Sequence, residues 1–319
     1  MLNDLRRPVH RADSVYTDLK SASRPHPDWI AAWLASQAPL ARDPVRWKHI
    51  LGVCRVMGAV DGLCHDLYKT LAGVRETRAC ESPREPADDC RLILGVDGRF
   101  RTAFRRACLR TPLLEPRRYL EALGRPYGVV PTAAMVQALE ARIELEMQLL
   151  YTFFEVKAVL ERLGAVYPQG LISDSWPFPV DRFLAAQGLV TVLEHRVISS
   201  FEGVCKSDGD GTEIYKIAAN RMRLPADRLC MIGDDPYRDC LPAMRIGFKV
   251  ILIDRDYEHV DRLGNWKDPG LAPLGIPVVR SYEHLPAPQP RGHGVAGRAH
   301  RPTVSSANAS DPGPATLRS

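Results

Sequence analysis

Between about residue 170 and residue 253, short apolar runs alternate with helix-forming stretches, and this alternation restricts the fold more than any other feature of the sequence. The runs are Gly170-Leu171-Ile172-Ser173, Val197-Ile198-Ser199, Leu229-Cys230-Met231-Ile232 and Val250-Ile251-Leu252-Ile253. Residues 180–187, 212–221 and 237–245 lie between or beside them with helical spacing. A strand that is apolar throughout is covered on both faces, as in parallel sheets flanked by helices. A further run, Val60 to His65, comes earlier in the chain. The expected fold is α/β, a Rossmann-like parallel sheet core, and ligands of such sheets bind at the carboxyl ends of the strands.

Polar residues at those ends are the site candidates. The first run leads into Asp66, within Leu63-Cys64-His65-Asp66-Leu67-Tyr68-Lys69-Thr70-Leu71. Carboxylates are expensive to bury, so one placed where a strand runs into a loop is a candidate nucleophile. Ser173 ends the next run, Lys206 follows the third in Gly203-Val204-Cys205-Lys206, and Asp234, Asp235 and Asp239 follow the fourth. Each has a plain structural alternative: a turn cap for Ser173, a solvated side chain for Lys206, a first-turn helix residue for Asp239. Together, in order, they complement a small anionic substrate and a hard divalent cation.

The rest of the chain is extension and insertion. Residues up to about His26 are polar and aperiodic, and read as a loose arm. Asp28 caps an apolar stripe at Trp29, Ile30, Trp33 and Leu34, and Asp43-Pro44 starts a second helix with Trp47, Ile50, Leu51 and Cys54 on one face. Ala72 to Cys90 is hydrophilic and reads as a long loop or flap, and residues 100–150 read as a helical subdomain. A further helix is expected over residues 154–163. The expected organisation is an arm and helical extension at 1–57, a core at 58–71 and 152–285, a flap and helical cap at 72–151, and a disordered tail at 286–319.

The charge of +5 comes from scattered arginines rather than basic blocks interleaved with aromatics, which argues against nucleic-acid binding. No run of about 18 uncharged apolar residues suggests a membrane span, and the first residues lack the apolar segment of a signal peptide, so a cytoplasmic protein is expected. Eight cysteines without Cys-x-x-Cys spacing read as reduced core thiols, although Cys80 and Cys90 flank a segment that would let them meet. Asn308-Ala309-Ser310 matches a glycosylation sequon by chance. The oligomeric state is not legible.

The strand-end residues resemble the motifs of the haloacid dehalogenase-like (HAD) hydrolase superfamily. Asp66-Leu67-Tyr68-Lys69-Thr70-Leu71 is similar to its first motif, with tyrosine at the second acidic position. Leu171-Ile172-Ser173-Asp174-Ser175 resembles the second, Lys206 the third, and Met231-Ile232-Gly233-Asp234-Asp235-Pro236-Tyr237-Arg238-Asp239 the fourth. The resemblance implies that Asp66 forms a covalent aspartyl intermediate, Ser173 binds the substrate's oxygens and Lys206 offsets their charge. It implies Mg²⁺ held by Asp66, the Tyr68 carbonyl, Asp234 and Asp239, with Asp235 as a further candidate. Asp97, after Leu92-Ile93-Leu94-Gly95-Val96, imitates Asp66, but Arg99 and Arg101 stand at the key following positions and Asp97-Gly98 reads as a turn.

The departures from the pattern bear on the chemistry. The second acidic residue of family phosphatases protonates the leaving group, a contribution of about 10²–10⁴-fold. Tyr68 is a poor substitute and is familiar in metal-independent 2-haloacid dehalogenases, where halide needs no proton. The acidic cluster favours a Mg²⁺-dependent phosphohydrolase instead, because its repulsion calls for a cation. An inactive member acting as a scaffold is the third reading. Lys69 stands where glycine is frequent, which suggests a distorted turn, and His65 is a candidate supporting partner of Asp66.

Overall fold

The computed structural model describes residues 28–75, 85–111, 115–175 and 177–287. The arm before residue 27, the tail beyond 287 and Cys80 lie outside these residues.

Two helices come first. α1 (Asp28–Ser36) buries Ile30, Trp33 and Leu34. α2 (Pro44–Ala59) starts at Asp43, whose Oδ1 accepts from the Val45 and Arg46 amides at 3.1 Å each. Such a cap contributes about 1 kcal/mol, and proline at the first helical position loses no hydrogen bond there. Trp47, Ile50, Val53, Cys54 and Met57 form the buried face of α2, while Leu51 is only half-buried.

The chain continues through β1 (Gly62–His65), β2 (Ala72–Val74), α3 (Pro86–Leu94), α4 (Arg101–Arg110), α5 (Pro116–Gly124), α6 (Ala133–Leu149), β3 (Leu150–Thr152) and α7 (Val156–Gly164). Then follow β4 (Gln169–Ser173), α8 (Pro177–Gln187), β5 (His195–Ile198), α9 (Ser199–Glu202), α10 (Glu213–Met222), β6 (Leu229–Gly233), α11 (Leu241–Arg245), β7 (Lys249–Ile253) and β8 (Val278–Val279). Six strands form one parallel sheet in the order β5-β4-β1-β6-β7-β8. Every residue of β1, β4 and β6 is buried. Alternate residues serve the two faces: Leu63 and Ile251 join the apolar cluster of α1, α2 and α7, while Cys64 and Leu252 join that of α10. This is the α/β architecture expected, with β8 added at the edge, too short to register as a periodic run.

The expected flap at 72–90 is corrected by the structure. Ala72–Val74 forms β2, which pairs antiparallel with β3 in the register Ala72 to Thr152, and α3 begins at Pro86; residues 76–84 lie outside the described part. A three-residue strand whose partner is distant in sequence leaves no local signature. Helices α3 to α6 share an apolar cluster of their own, including Phe104, Tyr119, Leu120 and Leu139. The apolar run before Asp97 is the end of α3, closed by Gly95 at φ 66°, and Asp97 caps a 3-10 turn by accepting from the Arg99 amide at 3.0 Å. Asp97 therefore stands at no strand end. Seven cysteines are described; all are buried and none is in a disulfide. Among the described residues, no helix is long and apolar enough to cross a membrane.

Candidate active site

The loops after β1, β4, β5 and β6 meet at the carboxyl edge of the sheet. Asp66 extends the pairing of β1 by donating its amide to Ile232 O at 2.9 Å. The Lys206 ammonium donates to Asp66 Oδ1 and, at 2.6 Å, to Asp239 Oδ1. Asp66, Asp234 and Asp239 each present an oxygen within 4.8 Å of the others. Thr70 Oγ1 donates to Asp234 Oδ1 at 3.2 Å, and Asp239 Oδ2 accepts the Asp235 amide at 3.1 Å. Gly233 makes this approach possible, because a Cβ there would run into the Asp239 carboxyl group. The expected helix over 237–245 is divided into a π-turn at Pro236–Cys240 and α11, an irregularity of the kind that gathers at functional sites.

The electrostatics follow from three crowded carboxylates, Asp66 and Asp239 buried and Asp234 half-buried, of which Asp66 and Asp239 accept from one ammonium. Burial raises Asp66 to about 6, with Lys206 pulling it down and Asp239 pushing it up. Burial, then repulsion from Asp66 and Asp239, raises Asp234 to about 8. Burial would lower the Lys206 ammonium, but Asp239 and Asp66 outweigh it and hold it above the ordinary lysine value. The cluster is short of positive charge. An oxygen-only donor set of this kind fits a hard divalent cation.

Ser173 stands beside this cluster in sequence position and at a strand end. Its hydroxyl is buried and has no hydrogen-bond partner among the described residues. A buried hydroxyl left without a partner costs about 1–3 kcal/mol. Asp235 is otherwise engaged: its Oδ1 accepts from the Tyr237 and Arg238 amides and caps the turn that follows. His65 does not reach Asp66 with its ring. Its Nε2 donates to Gln169 Oε1 at 3.0 Å, its Nδ1 accepts from Tyr282 Oη at 2.8 Å, and burial lowers it to about 3. It is a neutral core histidine.

Lys69 adopts φ 57°, the left-handed turn for which glycine is usual. Arg255 steadies it, donating to Lys69 O at 3.2 Å and Thr70 O at 2.9 Å while pairing with Glu155 at 2.7 Å and covering the Phe153 ring. Arg255 thus ties the loop after β1 to the segment where the helical insert rejoins the core.

Tyr68 points at the insert. Its hydroxyl donates to Glu146 Oε1 on α6 at 2.6 Å, and Glu146 Oε2 accepts from Arg142 at 3.1 Å. Burial and then the Glu146 carboxylate hold the phenol well above the ordinary tyrosine value. A carboxylate paired with arginine is an acceptor, so the Tyr68 proton is committed to it. Glu146 escaped sequence reasoning, although it occupies a position of the apolar stripe Leu139, Ile143, Glu146, Leu149, where a carboxylate is out of place. Asp174 directly follows β4. Its Oδ1 accepts the Lys206 amide at 2.9 Å and its Oδ2 accepts from Arg238 at 2.7 Å, fixing the loop that delivers Lys206.

Residues 211–271 match the family described as HAD-hydrolase-like, a span that includes Asp234 and Asp239 but not Asp66, Ser173 or Lys206. No curated protein matches the chain in sequence. Among solved structures, a 2-haloacid dehalogenase from Pseudomonas syringae pv. Tomato DC3000 is similar at 16% identity, covering 71% of this chain and 96% of its own, with a TM-score of 0.47. A HAD phosphatase from Thermococcus onnurineus is similar at 14% identity, covering 71% and 96%, with a TM-score of 0.44. A HAD family enzyme from Bacteroides thetaiotaomicron, solved with magnesium and inorganic phosphate, is similar at 14% identity, covering 63% and 98%, with a TM-score of 0.44.

Proposed function

We propose that the chain is a HAD-like hydrolase, as the match of residues 211–271 suggests, and that it is a Mg²⁺-dependent phosphohydrolase of small phosphate esters or anhydrides with Asp66 as nucleophile. The observation that carries this reading is the set of three carboxylate oxygens, from Asp66, Asp234 and Asp239, within 4.8 Å of one another, with a single ammonium that contacts Asp66 and Asp239. A halide-releasing site has no need of Asp234 and Asp239, whose repulsion it would have to bear. Asp66, Asp234 and Asp239 would hold the cation, which would screen the nucleophile from the substrate's negative oxygens.

The chain's own residues would do the rest. The Asp66 carboxylate attacks phosphorus, the bond from phosphorus to the leaving oxygen breaks, and water then hydrolyses the acyl phosphate and regenerates Asp66. Lys206 holds Asp66 in place and neutralises part of the charge that gathers on the transferring group. The Ser173 hydroxyl donates to a phosphoryl oxygen.

Tyr68 sets the limit on the substrate. With its hydroxyl directed at Glu146 it donates nothing to the leaving group, so a group that departs without a proton, such as a carboxylate from an acyl phosphate or an aryl oxide, suits the site. Tyr68→Phe is accordingly expected to change kcat on an aryl phosphate by less than about tenfold, against the 10²–10⁴-fold that loss of a general acid produces. The same variant is expected to lose about 1–3 kcal/mol of stability in urea, because Glu146 keeps its charge and loses a donor. A kcat loss of 10²-fold or more would assign Tyr68 the acid role.

The commitment of Tyr68 also favours a second reading, a 2-haloacid dehalogenase. The two are separated by measuring phosphate release from an aryl phosphate and halide release from a 2-haloacid, each with Mg²⁺ and with chelator. Phosphate release that collapses in chelator is the expected result. Halide release that persists in chelator would overturn the phosphohydrolase reading.

A further inference from the structure

Away from Asp66, a cleft of about 340 Å³ opens between α1 and α2 on one side and the segments after β7 and β8 on the other. Its size is at the lower end of the range of small-molecule sites, about 300–1,000 Å³. Trp33 and Ile50 line it from the helices, Tyr257 and Leu263 from the segment after β7. Leu263 is 74% exposed, an apolar side chain standing in solvent at the mouth.

The cations of the cleft divide into two kinds. Arg280 is engaged: it donates to Asp254 and to the carbonyls of Val260 and Asp261, and covers the Tyr257 ring at 3.8 Å. Arg46 and Arg262 are exposed and pair with no carboxylate among the described residues. The nearby acids do not answer them. Asp43 caps α2, and Asp261 accepts from the amides of Leu263 and Asn265. Arg46 also lies in the first turn of α2, where the helix dipole adds positive potential.

The two histidines of the cleft report the same field. His49 accepts the Val278 amide at Nδ1 and His284 accepts the Arg280 amide at Nδ1, so each ring carries its proton on Nε2. Burial lowers both, and the neighbouring cations lower them further: Lys48 and Arg280 for His49, Arg46 and Arg280 for His284. Carboxylates oppose the cations, Asp43 at His49 and Glu283 and Glu155 at His284, so burial leads the lowering of both rings.

We propose that this cleft is a second binding site, for a small organic anion whose phosphate-like head pairs with Arg46 and Arg262 and whose flat apolar body lies against Trp33 and Leu263. Two arginines without a carboxylate partner, Arg46 on α2 and Arg262, which lies over the Tyr257 ring at 5.7 Å, match the head; the apolar lining at Trp33 and Leu263 matches the body. The site is independent of the chemistry at Asp66, and its ligand is not the hydrolysed substrate.

The test is titration calorimetry of the full chain with phenylphosphonate, in chelator to suppress metal-dependent anion binding at Asp66. Wild type is compared with Arg46→Ala/Arg262→Ala. Both positions are exposed, and thermal melts confirm that the double variant folds. The expected result is phenylphosphonate binding that weakens at least tenfold in the double variant, exceeds binding of benzyl alcohol and falls with added salt, while aryl phosphate turnover is unchanged. Equal binding by the two proteins, or no binding by either, would overturn the proposal. Neither outcome depends on whether the Asp66 site hydrolyses phosphate esters.

Discussion

Lys206→Met is expected to destabilise the metal-free protein by about 3–5 kcal/mol, the range for removing one partner of a buried ion pair. The side chain is 2% exposed and its ammonium contacts two carboxylates that are themselves 13% and 3% exposed. Methionine fills a similar volume, so the loss is one of charge rather than packing. Asp66, Asp234 and Asp239 would then face one another with no cation between them. Part of the lost stability should return on adding Mg²⁺, because a bound cation takes over the screening. Urea unfolding in chelator and in excess Mg²⁺ measures both effects. Wild-type stability in chelator would show that Lys206 is dispensable to the cluster. Turnover of an aryl phosphate should fall by on the order of 10²-fold or more even with the metal present, since Lys206 also steadies the transferring charge.

That Asp66 and Asp234 lie at one edge was legible because of how parallel sheets are built. Each buried strand reads as an uninterrupted apolar run, and its carboxyl end is marked by the first polar residue that follows. Asp66, Ser173 and Asp234 stand where that rule points, whereas Lys206 comes seven residues after Ser199, the first polar residue beyond its strand, and is marked only by its place in the order of motifs. What the rule cannot reach is pairing between segments that are separately unremarkable. The ribbon of β2 and β3 has three residues per strand, and neither strand alternates long enough to be recognised. Arg255 lies in a charged loop and resembles any solvated arginine until its contacts with Lys69 and Thr70 are seen. Glu146 was visible in principle, as a carboxylate on an apolar stripe, but its meaning depends on Tyr68 being opposite. Lys69 was the reverse case: a lysine where glycine is usual implied a left-handed turn, and φ is 57°.

Asp66→Asn should separate activity from stability in the direction opposite to most buried substitutions. Activity on an aryl phosphate is expected to fall by on the order of 10³-fold or more, because the amide oxygen is no nucleophile. Stability should not fall with it. Asp66 is raised from 3.8 to about 6, so the folded protein holds a proton there that the unfolded chain has released. Stability is therefore lost as pH rises through the window between those values, and above it the whole penalty of the buried charge is present. Asparagine removes that penalty and still accepts from Lys206, which keeps Asp239 as its ionic partner. It also relieves Asp234, one of whose burdens is repulsion from Asp66. In chelator at pH 8 the variant should be as stable as wild type or more stable, by up to about 1–3 kcal/mol, and the stabilisation by Mg²⁺ should shrink because one ligand has lost its charge. Thermal melts with and without the metal read both. A variant that loses stability in chelator, or that keeps activity within tenfold of wild type, would show that Asp66 is a structural carboxylate and that the nucleophile must be sought elsewhere at this sheet edge. Sites that gather like charges commonly trade stability for function, and this substitution asks whether the acidic edge does so.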